Sequence, residues 1–113
     1  YRMQEKAAGV GFDWPHIDGV IQKIEEEIRE FYDEVNQKNQ KRAEEEFGDL
    51  LFSLVNYARF LGINPDDALS NANQKFRKRF VKMESKISDR QIEMSQLDLD
   101  RWEKLWQEVK SEN

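Results

Sequence analysis

The chain has 113 residues, with 23 acidic against 18 basic side chains, a net charge of −5, 36% charged residues and no cysteine. That size allows one domain with a single core. The missing cysteines exclude a disulfide framework and cysteine-ligated zinc, no apolar run approaches the ~18 residues of a membrane span, and the acidic balance argues against a protein that coats nucleic acid.

Five glycines, two prolines and a persistent 3.6-residue apolar period make the chain all-α rather than disordered or β-rich. A reducing cytoplasm suits the composition. Tyr1 to Gly9 is a short mixed segment without a signal-peptide core, and a chain opening on Tyr reads as cut from something longer. Residues 1–9 are therefore expected to be a lead-in and 10–113 the domain. Gly9, Gly11 and Trp14-Pro15 interrupt any helix, and Asp13 or Trp14 ahead of Pro15 marks the entry to a first long helix that runs to about Asn36. Its apolar face is centred on Ile17, Ile21, Ile24, Ile28, Phe31 and Val35. Asn36 to Gln40 is a short polar connection, so the second helix, about Lys41 to Phe60, returns antiparallel. Its stripe is Ala43, Phe47, Leu50, Leu51, Leu54, Ala58 and Leu61, and Gly62 closes it. Gly48 inside this helix implies close approach of another backbone or of a ligand. Asn64-Pro65-Asp66-Asp67 starts a third helix to about Ser88, with Leu69, Ala72, Phe76, Phe80, Met83 and Ile87 on its buried side. An irregular stretch, Asp89 to Leu97, precedes a last helix from Asp98 to about Lys110.

Two carboxylate pairs with one spacing stand out: Glu27 with Glu30, and Glu46 with Asp49. Residues at i and i+3 lie about 60° apart around a helix, so each pair projects from one face. Spacing alone is weak, because acids this frequent produce on the order of four or five such pairs by chance. Angular position adds to it. Glu27 falls about 60° from the centre of the first apolar face and should be half buried, and Glu46 lies beside the second stripe with Asp49 on the same flank. Across an antiparallel hairpin these acids would converge and repel unless a hard divalent cation held them.

Lys75 and Arg79 stand one turn apart on the third helix, in a basic cluster from 75 to 82. They either share an anion or form a solvated basic face. Trp106 and Lys110 have the same spacing, and the tryptophan either stacks on a base or belongs to the core. His16 is the only histidine, which rules out a histidine-based metal site or a His-dependent triad within one chain.

The segment Glu26-Glu27-x-x-Glu30 followed by Glu46-x-x-Asp49 resembles the MazG family of nucleoside triphosphate pyrophosphohydrolases, whose signature is EExxE and a later ExxD. Gly11-Phe12-Asp13-Trp14-Pro15, Glu44 to Phe52 and Asn73 to Phe80 extend the likeness to the C-terminal MazG domain of tandem-domain bacterial proteins. The resemblance implies a four-helix-bundle-like domain that pairs into a homodimer or higher oligomer. It implies Mg²⁺, with Mn²⁺ as a substitute, held by Glu27, Glu30, Glu46 and Asp49. It assigns Lys23, Lys75, Arg79, Trp106 and Lys110 to the nucleotide and its phosphates, with Arg42 a weaker candidate. The implied reaction cleaves a nucleoside triphosphate at the α-phosphorus into a monophosphate and pyrophosphate. Arg29 between the first two carboxylates departs from close relatives.

The residues support that chemistry without the name. Acids can hold Mg²⁺ while cations neutralise phosphate, and no Ser, Cys or His is arranged for covalent catalysis. The absence of a Walker-type loop leaves phosphates to side chains and metal. The alternatives are a related pyrophosphatase restricted to one base, such as a dCTPase or dUTPase, and a non-catalytic helical module. Wide apolar arcs with Phe47, Phe52, Phe60, Trp102 and Trp106 in or beside them exceed what one small bundle can bury, so at least a dimer is expected. Phe52 is the sharpest case, lying away from the stripe that faces the first helix.

Overall fold

The computed structural model describes residues 1–112 and divides into two compact units, residues 1–66 and the described residues from 67 on. All regular structure among the described residues is helical: α1 (Arg2–Gly9), α2 (Ile17–Asn36), α3 (Gln40–Phe60), α4 (Pro65–Asp89) and α5 (Leu99–Ser111), with one 3₁₀ turn, Met94–Gln96. None of these helices is long and apolar enough to cross a membrane. The all-α expectation holds, with one helix more than expected.

The extra helix is α1, within the expected lead-in. It is not a free segment: the Gln4 side chain is buried and its Nε2 donates to the Phe52 carbonyl of α3 at 3.0 Å. The entry to α2 also differs. Helix geometry begins at Ile17, after an extended His16 that makes no side-chain cap, because Asp13 is otherwise engaged. Its Oδ1 accepts from the Trp14 backbone N–H at 2.8 Å and from Arg59 Nη2 at 2.5 Å. The Arg59 guanidinium holds the Asp13 carboxyl below its usual range.

α2 and α3 form a helical hairpin and pack side by side. Gln37 ends α2, Lys38 takes a left-handed conformation with φ 57°, and Asn39 caps α3 by accepting from the Arg42 N–H at 3.2 Å. The expected apolar stripes meet in part: the Phe31 ring of α2 lies 5.4 Å from the Phe47 ring of α3. Val20 and Glu27 are buried on α2, while Ala43, Ser53 and Asn56 are buried on α3. The predicted stripe residues Ile28, Val35, Phe47, Leu51, Leu54 and Leu61 are all exposed. The rest of the two stripes, Ile17, Ile21, Ile24, Leu50 and Ala58 among them, is at least partly buried.

The second unit is more conventional. Met83 and Ile87 of α4 and Leu105 and Val109 of α5 are buried together, with Phe80, Ile92, Leu97, Trp102 and Trp106 packed around them. Of the predicted α4 stripe, Leu69 and Phe76 remain exposed, because the buried part lies toward the helix's C-terminal end. Asp98 caps α5 as expected, accepting from the Arg101 N–H at 2.9 Å. Lys86 and Arg90 of α4 pair with Glu108 of α5, and Lys86 reaches Glu112 at 2.7 Å. These ion pairs are largely solvated and align the helices more than they stabilise them.

Candidate functional site

The α2/α3 seam is unusual in burying acid. Glu27 is only 3% exposed, far less than the half-burial its angular position suggests. The packed line on α2 runs through Val20 and Glu27, residues separated by two helical turns and therefore on one face. One Glu27 oxygen, Oε1, is 2.7 Å from Lys23 Nζ, while Oε2 is buried without a hydrogen-bond partner. Glu46 Oε2 is equally orphaned. A buried carboxylate oxygen without a donor is costly, and folded proteins seldom tolerate two beside each other.

Glu27, Glu46 and Asp49 each offer one oxygen, and the three oxygens lie within 4.8 Å of one another. Glu30 also faces this group, since its carboxyl and that of Glu27 both act on Glu46. Burial first, and then those two neighbours, push Glu46 up to about 7. An all-oxygen set with orphaned acceptors suits a hard cation, with Glu27 and Glu46 offering otherwise unused lone pairs. Lys23 is the counter-charge already in place, and Glu27 accordingly raises its affinity for its proton. The i,i+4 spacing of Lys23 and Glu27 made that partnership legible in the sequence.

The other candidates are distributed differently. Arg42 is well exposed and reaches Glu34 Oε1 at 3.9 Å, about two turns along α2 from Glu27. Glu34, whose second oxygen is also buried and unpartnered, is a residue that sequence reasoning overlooked. In the second unit, Lys75 and Arg79 line a cavity of about 340 Å³ together with Asn71, Gln74 and Lys78. The Arg79 guanidinium lies 5.4 Å from the Trp106 ring centroid, and the Phe76 ring is 5.7 Å from it. Trp106 is thus partly covered and seats Arg79, whose Nε is buried without an acceptor. Lys110 is exposed on α5. At Gly48 an added Cβ would meet nothing within 4 Å, so no close backbone among the described residues explains that glycine.

Comparison with known proteins places this arrangement in context. A family model described as the MazG nucleotide pyrophosphohydrolase domain matches residues 17–83. The chain is 44% identical over 109 residues to the nucleoside triphosphate pyrophosphohydrolase/pyrophosphatase MazG of Thermotoga maritima. It is also 44% identical over 111 residues to a nucleoside triphosphate pyrophosphohydrolase of Escherichia coli K12. Each match covers 96% of this chain and 42% of the relative, so the chain spans less than half the length of these proteins. An uncharacterized protein, YabN, of Bacillus subtilis is 46% identical over 65 residues, covering 58% of this chain and 13% of that protein.

Proposed function

We propose, from the premise that this chain belongs to the MazG nucleotide pyrophosphohydrolase family, that it hydrolyses nucleoside triphosphates at the α-phosphorus to monophosphate and pyrophosphate. The observation that carries the proposal is the convergence of Glu27, Glu46 and Asp49, with two orphaned carboxylate oxygens among them. That donor set fits Mg²⁺, with Mn²⁺ as a substitute, and Glu30 completes it from the adjacent turn of α2. When bound, the cation supplies Lewis-acid polarisation at the phosphoryl centre and neutralises developing charge.

The remaining steps belong to side chains. Glu30 accepts the proton of the attacking water; the new bond forms between that water's oxygen and the α-phosphorus, and the bond from the α-phosphorus to the α,β-bridging oxygen breaks. Pyrophosphate leaves with the bonding pair. Lys75 and Arg79 bind phosphate oxygens, and the Trp106 ring, 5.4 Å away, packs against the Arg79 guanidinium. Lys110, Lys23 and Arg42 are assigned to the nucleotide on the resemblance alone. The exposed Phe47, Leu51 and Leu54 support a homodimer or larger assembly; a C-terminal position in a tandem-domain protein and a cytoplasmic location are proposed from the sequence resemblance and composition alone.

Product analysis with the eight common nucleoside triphosphates, with and without Mg²⁺, tests the reaction and its base preference together. Monophosphate and pyrophosphate in equal amounts are expected. Diphosphate and inorganic phosphate would move the cut to the wrong phosphorus, and no product from any substrate would leave a non-catalytic helical module.

A further inference from the structure

Glu34 is a carboxylate that the reaction above leaves without a task. Its side chain is 17% exposed, its Oε2 is buried with no hydrogen-bond partner, and the cation it meets is Arg42, whose Nη1 lies 3.9 Å from Glu34 Oε1. It stands in line with the metal group. Glu27, Glu30 and Glu34 are spaced i, i+3 and i+7 on α2, and Arg42, Glu46 and Asp49 are spaced i, i+4 and i+7 on α3, so each set occupies one helix face. In an antiparallel hairpin the Glu34 and Arg42 pair is then the next rung after Glu30 and Glu46, on the side of the connecting turn.

Lys23 and Arg42, one at each end of this row of acids, are held differently. Lys23 closes on Glu27 at 2.7 Å. Arg42 has 67% of its side chain exposed and makes one long contact to Glu34, although the backbone beneath it is fixed: Asn39 donates its N–H to the Glu34 carbonyl at 3.2 Å and accepts the Arg42 N–H on its Oδ1 at 3.2 Å. A guanidinium carries five N–H donors in a rigid fork, so one edge can meet a carboxylate while the other stays open to a second anion. Arg42 stands one turn, about 6 Å along α3, from Glu46, beside the acids that a phosphate-bearing cation would occupy. An arginine tethered in this way is ordered before the anion comes, and the tether removes part of the ordering cost that binding would otherwise carry.

We propose that Glu34 is a positioning residue: it tethers one edge of the Arg42 guanidinium so that the other edge meets the phosphate chain of a nucleotide held at the metal group. The proposal deepens the triphosphate reading and rests on it, so its probe is inorganic tripolyphosphate with Mg²⁺, whose binding to the full chain is read by calorimetry apart from nucleotide turnover. Glu34→Gln keeps the volume and the backbone hydrogen bond from Asn39 but removes the charge, and should weaken that binding about three- to tenfold. Arg42→Ala should weaken it at least as much, and adding Glu34→Gln to Arg42→Ala should cost nothing more. In turnover Glu34→Gln should raise KM for the preferred triphosphate by a similar factor and leave kcat within about twofold, whereas a merely loosened hairpin would scatter the four acids and lower kcat. A parent that binds no tripolyphosphate, a Glu34→Gln protein that binds it as the parent does, losses from the two substitutions that simply add, or a fall in kcat as large as the rise in KM would each overturn the tether. A parent in which the two substitutions are coupled in this way yet which cleaves no triphosphate would overturn the reaction and keep the tether.

Discussion

Loading the carboxylate group with Mg²⁺ should stabilise the protein in a way that depends on pH, and the size of both effects follows from the site. At a metal concentration a hundredfold above the dissociation constant, a ligand that binds only the folded state adds about 2.7 kcal/mol. For a chain of this length that is roughly a 10 °C rise in melting temperature, at about 4 °C per kcal/mol. The metal must displace the proton on Glu46, which titrates near 7 rather than at its ordinary 4.5. With that value, the ionised fraction falls about tenfold between pH 8 and pH 6, the affinity falls with it, and the shift at pH 6 is about half that at pH 8. The metal-free protein behaves oppositely. Because the folded state holds the Glu46 proton more tightly than the unfolded chain, its contribution to stability is full below pH 4.5 and is lost as pH rises to about 7. Thermal melts in EDTA and in Mg²⁺ at pH 5.5, 6.5 and 8 measure both trends. A Mg²⁺ shift that is equal at every pH, or that survives intact in Glu46→Gln, would refute the assignment of Glu46 to the cation.

The remaining predictions address turnover, phosphate, assembly and the core. Glu46→Gln and Asp49→Asn should each lower kcat about 100-fold or more, and metal-free Glu46→Gln should lose the decline in stability toward pH 8; near-parental rates in pyrophosphate release assays would remove either residue from the site. Lys75→Ala and Arg79→Ala should raise KM and lower kcat for ATP while affecting AMP binding less, as isothermal titration would read; equal losses for both nucleotides would assign these cations to sugar or base. Sedimentation at micromolar concentration should find a dimer or larger species, and an active species of one chain's mass would show that neither fold nor site needs a partner. Leu105→Ala, in the α4/α5 core, should cost about 2–5 kcal/mol in denaturant melts, and a loss under 1 kcal/mol would mean that this core does not hold the second unit together.

Legibility in the sequence varied with the kind of signal. Two caps were readable to the residue: Asn64 and Asp98 each carry a side chain that accepts a backbone N–H just inside the following helix. Helix α1 was not readable, because two glycines and a short mixed segment gave no periodicity, and its attachment depends on Gln4 meeting a carbonyl 48 residues away. The carboxylate spacing was plain, but its burial was underestimated. Hydrophobic angles put Glu27 at the edge of the apolar face of α2, whereas it is 3% exposed, on one face with the buried Val20. The hydrogen bonds of Gln4 to the Phe52 carbonyl and of Arg59 to Asn56 had no sequence signal either, since isolated amides in a polar sequence carry no pattern of their own.

The left-handed Lys38 between α2 and α3 acts as a ruler. Glu27 and Asp49 are equidistant from it along the chain, and so are Glu30 and Glu46. One residue inserted or deleted at this tip would slide one helix about 1.5 Å and turn it about 100°, dispersing all four acids while leaving each helix free to form. A lineage that keeps this chemistry is therefore bound to keep the length of its shortest connection, and can exchange the residues there far more freely than it can count them differently.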